Sequence, residues 1–527
     1  MSLNKGKPCR RVAELSLESI VGLMPWTYDY DLAVIGGGSG GLAAAKEAAQ
    51  LGLKVVLFDY VKPTAKGTTW GLGGTCVNVG CIPKKIMHYA GLLGKSIKDA
   101  RYLGWNLPEY TQFDWNLLVE KVQNYIKMLN FSYKVSLRSA KVCYINALAY
   151  ITTNNEIEYF LNEKSYKIHS RAIIIAVGSR PFVPRDVPGA FELTITSDDI
   201  FSLEKSPGKT LIVGGSYIAL ECASFLNDLN FDVTVSVRSV VLRGFDRQCS
   251  NKVMNNLEEL GVKFKFKNLP SKIEKCERED KLLVTYTNGE RDLFDTVLYA
   301  VGRVAETKNL GLENVGIIVG LDGKIPVNER DETSATNVYA VGDVAQGRLE
   351  LTPTAIQAGE YLARRLAAVS SKIVNYNNVP TTVFASYEYS SVGYSQEKAK
   401  EYFGKENIEV YLREFSSLEL SAAHRLKNER LWADEFDKEA SPQCLSKLIC
   451  LKSEDEKVVG FHFIGPNAGE ICQGFALAIK LGAKKSDFDE LIGIHPTDAE
   501  SFCTLSVTLA SGQDFRVSAG CGGGKCG

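Results

Sequence analysis

The sequence predicts an α/β fold, because two segments about 180 residues apart share the order strand, Gly-rich turn, helix, strand. The first segment reads YDYDLAVIGGGSGGLAAAKEAAQLGLKVVLFDY, and the second reads KTLIVGGSYIALECASFLNDLNFDVTVSVRS. A third observation is the change of pattern from about residue 380, where strands and helices continue without another such turn. We therefore predict two Rossmann-like dinucleotide-binding domains followed by a C-terminal α+β domain.

Composition and charge narrow the class of protein. The 527 residues are 45% hydrophobic and 23% charged, with a net charge of −1. A chain so nearly neutral is a poor match for electrostatic binding to nucleic acid. The longest apolar runs, such as RAIIIAVG, are far shorter than the ~18 residues that a membrane-spanning helix needs. We expect a soluble enzyme or binding protein that has neither a nucleic-acid partner nor a membrane partner.

The N-terminal residues and the cysteine content indicate a reducing compartment, and we expect the cytosol. Residues 1–28 form a predicted extension without the apolar core of a secretory signal, and Glu14 and Glu18 are unusual in a transit peptide. An alternative start that adds organelle targeting stays open. Thirteen cysteines spread over so long a chain do not resemble a disulfide-stapled secreted domain. A closely spaced cysteine pair in this setting is expected to be catalytic or metal-binding.

The first Gly-rich turn has the G-x-G-x-x-G spacing of a dinucleotide site. Gly36 permits a tight turn, Gly38 lets the backbone approach a pyrophosphate, and Gly41 allows close packing of helix on strand. The helix that follows offers free N–H groups and a positive dipole end to the phosphates. Asp59, at the end of the second strand, is placed to bind ribose hydroxyls. These features predict nucleotide binding.

The second turn has the looser form G-x-S-x-x-A, carried by Gly214, Ser216 and Ala219. Its second strand leads into VRSVVLRGFD without an acidic residue at the strand end. Arg238 and Arg243 lie there, where the 2′-phosphate of NADP would need cations. The alternative is two solvated surface arginines. NADPH is the predicted cosubstrate of this domain.

The segment GGTCVNVGCIPKK holds Cys76 and Cys81, separated by four residues. A zinc site would need two further ligands at a compatible spacing, and no neighbouring Cys/His pair supplies them. Two buried structural thiols would not explain a position in a Gly-rich turn that follows a nucleotide unit. On the first turn of a helix, sulfurs at this separation can come within bonding range, and the helix N-terminus favours the thiolate. We predict a redox-active dithiol and no metal.

These motifs occur in one order together with AVG, YAVGD and HPTDAE. In that combination the chain resembles the pyridine nucleotide–disulfide oxidoreductases over nearly its whole length from residue 29. Within them it is similar to the branch of glutathione reductases and high-molecular-weight thioredoxin reductases. The resemblance implies tightly bound FAD, one per subunit, and a homodimer. It implies an FAD-binding domain over 29–191 and 311–379, an NADPH-binding domain over 192–310 and a dimer interface domain over 380–510.

The resemblance also implies a role for each matching residue. Cys81 lies against the flavin as the charge-transfer thiolate, Cys76 is the interchange thiol, and Lys84 pairs with Glu221 near the flavin N5 position. The implied FAD-binding residues are Gly36, Gly38, Ser39, Gly40, Gly41, Asp59, Tyr60, Gly74, Thr75, Cys76, Cys81, Lys84, Ala176, Gly178, Asp343, Leu351, Thr352 and Pro353. Those implied for NADPH are Gly214, Ser216, Tyr217, Ile218, Ala219, Glu221, Arg238, Arg243 and Gly302.

His495 and Glu500, in HPTDAE, match the family's acid–base pair, which serves the active site of the other subunit. Histidine suits this role because its pKa lies near neutrality, so that it can stabilise the Cys76 thiolate and protonate the departing thiol. A lone histidine is more often a packed core residue, so this prediction depends on the motif. Tyr217 matches the tyrosine that gates the nicotinamide pocket.

The chain ends in CGGGKCG, which places Cys521 and Cys526 on a Gly-rich tail predicted to be mobile over 511–527. A glutathione reductase would bind its small disulfide beside Cys76 and would need no such tail. A large thioredoxin reductase reduces a folded protein and carries a further redox pair on a flexible arm. The spacing here is similar to that in the enzymes of malaria parasites. Glutathione reductases usually carry an arginine at the position of Glu360, so this residue also favours a large thioredoxin reductase. Incidental cysteines or a metal-binding tail are the alternatives, although two ligands seldom suffice for a metal.

The predicted function is a relay of electrons from NADPH to FAD, to Cys76–Cys81, to Cys521–Cys526 of the other subunit and finally to the disulfide of thioredoxin. Glutathione-disulfide reductase of the same family is the main alternative. A dihydrolipoamide dehydrogenase would share the fold, but should prefer NAD and lack the tail pair and the arginines of the second turn. The polar stretch near 425–445 is predicted to be an exposed loop.

Overall fold

The computed structural model describes residues 28–108, 112–276, 279–423 and 442–517. Within these ranges two units with parallel strands precede a C-terminal antiparallel sheet, so the predicted fold class is confirmed. No helix in the same ranges is long and apolar enough to cross a bilayer.

The first unit is built around a parallel sheet. It begins with strand β1 (Tyr30–Ile35), helix α1 (Ser39–Gln50) and strand β2 (Val55–Phe58). The apolar residues of β2 and of most of β1 are buried on both faces, as is usual for parallel strands covered by helices. The chain continues with α2 (Gly74–Val79), α3 (Cys81–Tyr102), α4 (Trp115–Ser139), β3 (Cys143–Ile145), β4 (Ala149–Thr153), β5 (Glu156–Leu161) and β6 (Lys164–Ile175).

The long strand β6 changes neighbours along its length. Its first half pairs antiparallel with β5, and its second half, from Ser170, pairs parallel with β1. The order of the sheet is therefore β3-β2-β1-β6, continued by the hairpin β5-β4. Because the carboxyl ends of parallel strands meet at one edge of a sheet, Ala176 lies beside the turn that follows β1.

The second unit repeats the same arrangement. Its elements are β7 (Ser179–Pro181), α5 (Ala190–Leu193), β8 (Ile195–Thr196), α6 (Ser197–Ile200), β9 (Thr210–Val213), α7 (Tyr217–Asp228), β10 (Val233–Val237), α8 (Arg247–Glu259), β11 (Lys263–Phe266), β12 (Pro270–Lys275), β13 (Leu282–Tyr286), β14 (Arg291–Phe294), β15 (Thr296–Tyr299) and β16 (Arg303–Ala305). The parallel sheet has the order β11-β10-β9-β15-β8, and β12, β13 and β14 form a separate antiparallel sheet. Strands β9 and β10 flank α7 as β1 and β2 flank α1.

The chain then returns to the first sheet. Strand β17 (Val338–Ala340) pairs parallel with β6, and helix α9 (Thr352–Leu366) packs against α1. The two helices approach closely at Gly359, where a Cβ would lie 2.3 Å from the backbone oxygen of Gly40. This contact explains why glycine is needed at that point of α9.

The C-terminal unit is an antiparallel sheet covered by helices. Its elements are β18 (Thr381–Val383), β19 (Glu388–Gly393), α10 (Gln396–Phe403), β20 (Ile408–Phe415), α11 (Leu418–Ala422), β21 (Cys444–Leu451), β22 (Lys457–Gly465), α12 (Ala468–Leu481) and α13 (Lys485–Asp489), in the sheet order β18-β19-β22-β21-β20. A 3₁₀ segment over Asp498–Thr504 packs on this sheet through Phe502, whose ring lies 4.2 Å from that of Phe461. This packing fixes the end of HPTDAE against the sheet.

A buried ion pair joins the second unit to the C-terminal sheet. The Lys447 ammonium on β21 lies 3.0 and 2.9 Å from the two carboxylate oxygens of Asp246, and neither side chain is exposed. Burial alone would raise the pKa of Asp246, but the charge of Lys447 and the N–H of Gln396 contribute to holding it well below its usual value. Removal of either partner would therefore leave an uncompensated charge inside the protein.

Candidate active site

A cavity of about 710 Å³ opens where the three units meet. Its walls are the turns after β1 and β2, the start of α2 and α3, the residues after β6, the start of α7 and the segment that leads into α9. The size is suited to a large cofactor. All residues predicted for FAD except Gly41 line it, namely Gly36, Gly38, Ser39, Gly40, Asp59, Tyr60, Gly74, Thr75, Cys76, Cys81, Lys84, Ala176, Gly178, Asp343, Leu351, Thr352 and Pro353.

The turn after β1 has a tight backbone path that requires glycine. Gly36 has φ +113°, and a Cβ there would lie 2.3 Å from the backbone oxygen of Ala176. A Cβ on Gly41, within α1, would lie 1.9 Å from the backbone oxygen of Gly36. Only glycine fits both positions, and the tight turn they form brings the N-terminus of α1, at Gly38 and Ser39, to the cavity wall, where its free N–H groups can meet a phosphate.

Asp59 stands at the end of β2, on the wall of the cavity. Its carboxylate accepts a hydrogen bond from the Gly37 N–H at 2.9 Å. Burial raises the pKa of Asp59 to about 6, against the lowering effect of the Gly37 and Tyr60 N–H groups. A carboxylate placed in this way fits the predicted contact with ribose hydroxyls.

The dithiol is divided between two helices, whereas the sequence analysis expected both sulfurs on the first turn of one. Cys76 lies within α2, and Cys81 is the first residue of α3. Gly80 interrupts the helix between them with φ −142° and ψ −115°. A Cβ at Gly80 would lie 3.0 Å from the backbone oxygen of Thr75, so the break is crowded as well as kinked. The expectation was wrong because the glycine ends α2 before the second cysteine.

The two thiols differ in acidity. A hydrogen bond from Cys76 is the largest influence on Cys81 and lowers its pKa to about 6, aided by Thr352 and by the charge of Lys84 and opposed by burial. The same hydrogen bond, together with burial, raises the pKa of Cys76. The Cys81 sulfur also lies 3.6 Å from Thr352 Oγ1. The shared hydrogen bond therefore favours the thiolate at Cys81 over the thiolate at Cys76.

The predicted pair of Lys84 and Glu221 is present beside the dithiol. Lys84 Nζ lies 2.8 Å from Glu221 Oε1, and the side chains are 13% and 5% exposed. Lys84 comes from the first turn of α3, one position beyond Pro83, and Glu221 comes from α7 of the second unit. The pair therefore joins the dithiol helix to the unit that is predicted to bind NADPH.

The second Gly-rich turn leads directly to this pair. A Cβ on Gly214, which has φ +139°, would lie 2.3 Å from the backbone oxygen of Ala300. Ser216 caps α7 by accepting a hydrogen bond from the Ala219 N–H at 3.3 Å and donates one to Ala300 at 3.0 Å. Tyr217 and the following Ile218 line the cavity, and burial raises the pKa of Tyr217. The tyrosine is therefore a neutral phenol at the cavity wall.

The two arginines predicted for the 2′-phosphate lie beyond the carboxyl end of β10. Both are exposed, and an Nη atom of Arg243 donates a hydrogen bond to Ser239 Oγ at 2.8 Å. Arg238 directly follows β10, and Gly302 follows β15 with φ +141°. These three residues are exposed and do not line the cavity.

The predicted acid–base pair is formed at the other end of the chain. His495 Nδ1 lies 3.0 Å from Glu500 Oε1, and Glu500 also caps the 3₁₀ segment by accepting from the Thr497 N–H at 3.4 Å. Half of the His495 side chain is exposed, 52%, and neither residue lines the cavity of its own chain. The imidazole is thus exposed and lies outside the cavity of its own chain. Cys521 and Cys526 lie outside the described residues.

Two residues of the site were missed by sequence reasoning. Arg303 donates from Nε to Ser179 Oγ at 2.8 Å and reaches Thr75 Oγ1 at 3.4 Å, so that its charge lies at the cavity wall. The sequence did offer one indication of this role, since Arg303 directly follows Gly302, which was predicted to bind NADPH. Phe384 contacts the Lys84 ammonium, and nothing in its segment VPTTVFAS indicates that contact.

Comparison with known proteins gives a consistent result along the chain. Residues 30–359 match the family model described as pyridine nucleotide-disulphide oxidoreductase, and residues 379–506 match the dimerisation domain of the same description. The chain is similar to the thioredoxin reductases of Plasmodium falciparum isolates FCH-5 and 3D7, with 54% identity over 506 residues in each case. Those alignments cover 95% of this chain and 93% and 82% of the two relatives.

Proposed function

Because the chain belongs to the pyridine nucleotide-disulphide oxidoreductase family, we propose that it is a homodimeric flavoprotein that uses NADPH to reduce the disulfide of thioredoxin. The observation that carries the proposal is the placement of Cys76 and Cys81 beside the Lys84–Glu221 ion pair, on the wall of a cavity suited to a dinucleotide. The identity with relatives named thioredoxin reductase supports the choice of substrate.

The residues of the cavity fit FAD. The Gly-rich turn leaves room for a pyrophosphate, Asp59 is placed for ribose hydroxyls, and Asp343 lines the cavity wall. FAD held there would supply the two-electron chemistry that links the oxidation of NADPH to the reduction of the Cys76–Cys81 disulfide. Arg238 and Arg243 would bind the 2′-phosphate of NADPH by charge-assisted hydrogen bonds.

The chain's own groups then control the thiols. Lys84 stabilises the Cys81 thiolate, while Cys76 passes its proton to His495 of the other subunit and attacks the next disulfide. In our proposal that disulfide is Cys521–Cys526 of the other subunit. One new sulfur–sulfur bond forms to Cys76 as the tail bond breaks, and the departing thiolate takes its proton from His495, which its buried neighbour Glu500 orients. Resolution by Cys81 then leaves the tail as a dithiol that can reduce thioredoxin.

A substrate comparison tests the proposed function. NADPH oxidation is measured with thioredoxin and with glutathione disulfide, for the intact protein, for Cys526→Ser and for Cys143→Ser. Cys143 is an exposed cysteine on β3 and serves as the matched control. We expect thioredoxin reduction to fall by at least ~100-fold in Cys526→Ser and to be unchanged in Cys143→Ser. Efficient glutathione turnover that Cys526→Ser does not affect would overturn the proposal.

A mixed dimer tests the exchange between subunits. Cys81→Ser lacks the dithiol and Cys526→Ser lacks the tail pair, so each homodimer is expected to be inactive. If the tail acts across the interface, refolding equal amounts together restores about a quarter of the native activity, because half of the dimers are mixed and each has one complete route. Failure of the mixture to regain activity, with mixed dimers present by mass, would exclude the transfer between subunits.

A further inference from the structure

Phe384 is a residue of the C-terminal unit that lines the cavity where the three units meet. It directly follows β18, and its neighbours Val383 and Ala385 are each 1% exposed in the core. The ring of Phe384 itself is only partly buried and faces the dithiol helix α3.

Two ammonium groups of that helix lie against the ring. Lys84 Nζ is 3.9 Å and Lys85 Nζ is 4.1 Å from the ring centroid. Lys84 is largely buried, a setting in which attraction between a cation and an aromatic face is strong. Lys85 is also paired with Glu388 at 3.2 Å, so each lysine has a carboxylate as well as the ring. The ring thus faces two compensated cations.

The backbone of Phe384 holds the carboxylate of the same ion pair. Its N–H donates a hydrogen bond to Glu221 Oε1 at 2.9 Å, and that oxygen also accepts from Lys84 Nζ at 2.8 Å. One residue therefore contacts both ends of the pair, the cation through its ring and the anion through its amide. Lys84 and Glu221 act on Cys81 in opposite senses, since the cation lowers the pKa of the thiol and the anion raises it. Their relative placement consequently decides how well the thiolate is stabilised.

We propose that Phe384 is a positioning residue, which fixes the geometry of the Lys84–Glu221 pair beside the dithiol by contacting both partners. The docking of the C-terminal unit then determines the reactivity of a thiol in the first unit. The inference rests on the proposed reductase function for its biological meaning, although the geometry that supports it does not.

Three variants distinguish the effect of the aromatic ring from the effects of the backbone N–H and of side-chain size. Phe384→Leu and Phe384→Met keep the backbone N–H and an apolar side chain but remove the aromatic face. Phe384→Tyr keeps that face and is the conservative rescue. Phe403→Leu is the matched control, because Phe403 lies in the same unit and packs on Tyr394 and Tyr402 away from the cavity.

The measurement is the pH dependence of Cys81 alkylation in the reduced full-length protein, resolved by mass spectrometry, together with the thiolate–flavin absorbance of the holoenzyme. The loss of one cation–π contact is expected to raise the apparent pKa of Cys81 by up to ~0.7 unit in the Leu and Met variants. This shift corresponds to a thiolate population reduced by up to ~5-fold at pH values below the pKa. Phe384→Tyr and Phe403→Leu should match the native protein.

Unchanged profiles in a folded Leu or Met variant would overturn the inference, as would an equal shift in Phe384→Tyr. If Leu does not fold, Met and Tyr still give the comparison. The alkylation readout does not require turnover, so it separates this inference from the proposed function. A native enzyme that fails to reduce thioredoxin would refute the function, while a shifted Cys81 profile would still support the positioning role.

Discussion

Cys76→Ala should make the remaining thiol of the dithiol markedly less acidic. The hydrogen bond from Cys76 is the largest influence that lowers the pKa of Cys81, to about 6. A hydrogen bond to a charged group is worth ~1.5–3 kcal/mol, which corresponds to ~1–2 pKa units. The alanine variant should therefore titrate at a pKa of roughly 7–8. Cys76→Ser keeps an O–H donor at the same place, so its Cys81 should stay near 6.

The assay is the rate of alkylation of Cys81 by iodoacetamide between pH 4.5 and 9, with the modified peptide identified by mass spectrometry. Because the thiolate is the reacting form, the rate rises with pH up to the pKa and is level above it. At pH 6 the alanine variant should react ~10-fold more slowly than the serine variant. An alanine profile whose midpoint stays near 6 would refute the reasoning, since Cys76 would then not be the donor that stabilises the thiolate.

Three further predictions follow from the structure. Lys447→Met should lower the stability by ~3–5 kcal/mol, seen as a lower thermal midpoint, because it leaves the Asp246 carboxylate buried without its cation. The folded-state pKa of Asp246 is depressed, so its contribution is complete above ~pH 4 and is lost in acid, where Asp246→Asn and the native protein should converge. Arg238→Ala combined with Arg243→Ala should raise KM for NADPH by ~10–100-fold and leave KM for NADH nearly unchanged; equal effects on both would contradict the assignment. Gly36→Ala should be purified with little flavin absorbance, because its Cβ would lie 2.3 Å from a backbone oxygen at φ +113°, and full flavin content would show that the turn can relax.

The parts of the site that the sequence predicts are those whose chemistry is local. The glycines at Gly36 and Gly214 and the cysteine spacing each act within one short segment, so their meaning is visible without the fold. The fold class follows from the order strand, Gly-rich turn, helix, strand, which occurs twice in the sequence. The pairing of Lys84 with Glu221 spans 137 positions, and it was available only through the family resemblance.

Contacts between distant segments explain what was missed. Phe384 lies 163 positions from the carboxylate that its amide holds, and Lys447 lies 201 positions from Asp246. The sequence around Phe384, an apolar residue after a strand, and around Lys447, a lysine within a strand, does not indicate these partners. Only tertiary packing brings each residue to its partner. Gly80 is a different case: the residue that breaks the helix was visible, but its effect depended on where α2 ends.

The break at Gly80 has a geometric consequence for the opening and closing of the dithiol. In an uninterrupted helix, positions five apart are separated by about 140° around the axis and by about 7.5 Å along it, which places their Cα atoms about 8.7 Å apart. That separation is too large for a disulfide, whose Cα atoms lie no more than about 7 Å apart. Because the two cysteines lie on separate helices, α2 and α3, the break at Gly80 frees the pair from this limit. Cys81 shares the 22-residue α3 with Lys84, and Cys76 belongs to the six-residue α2.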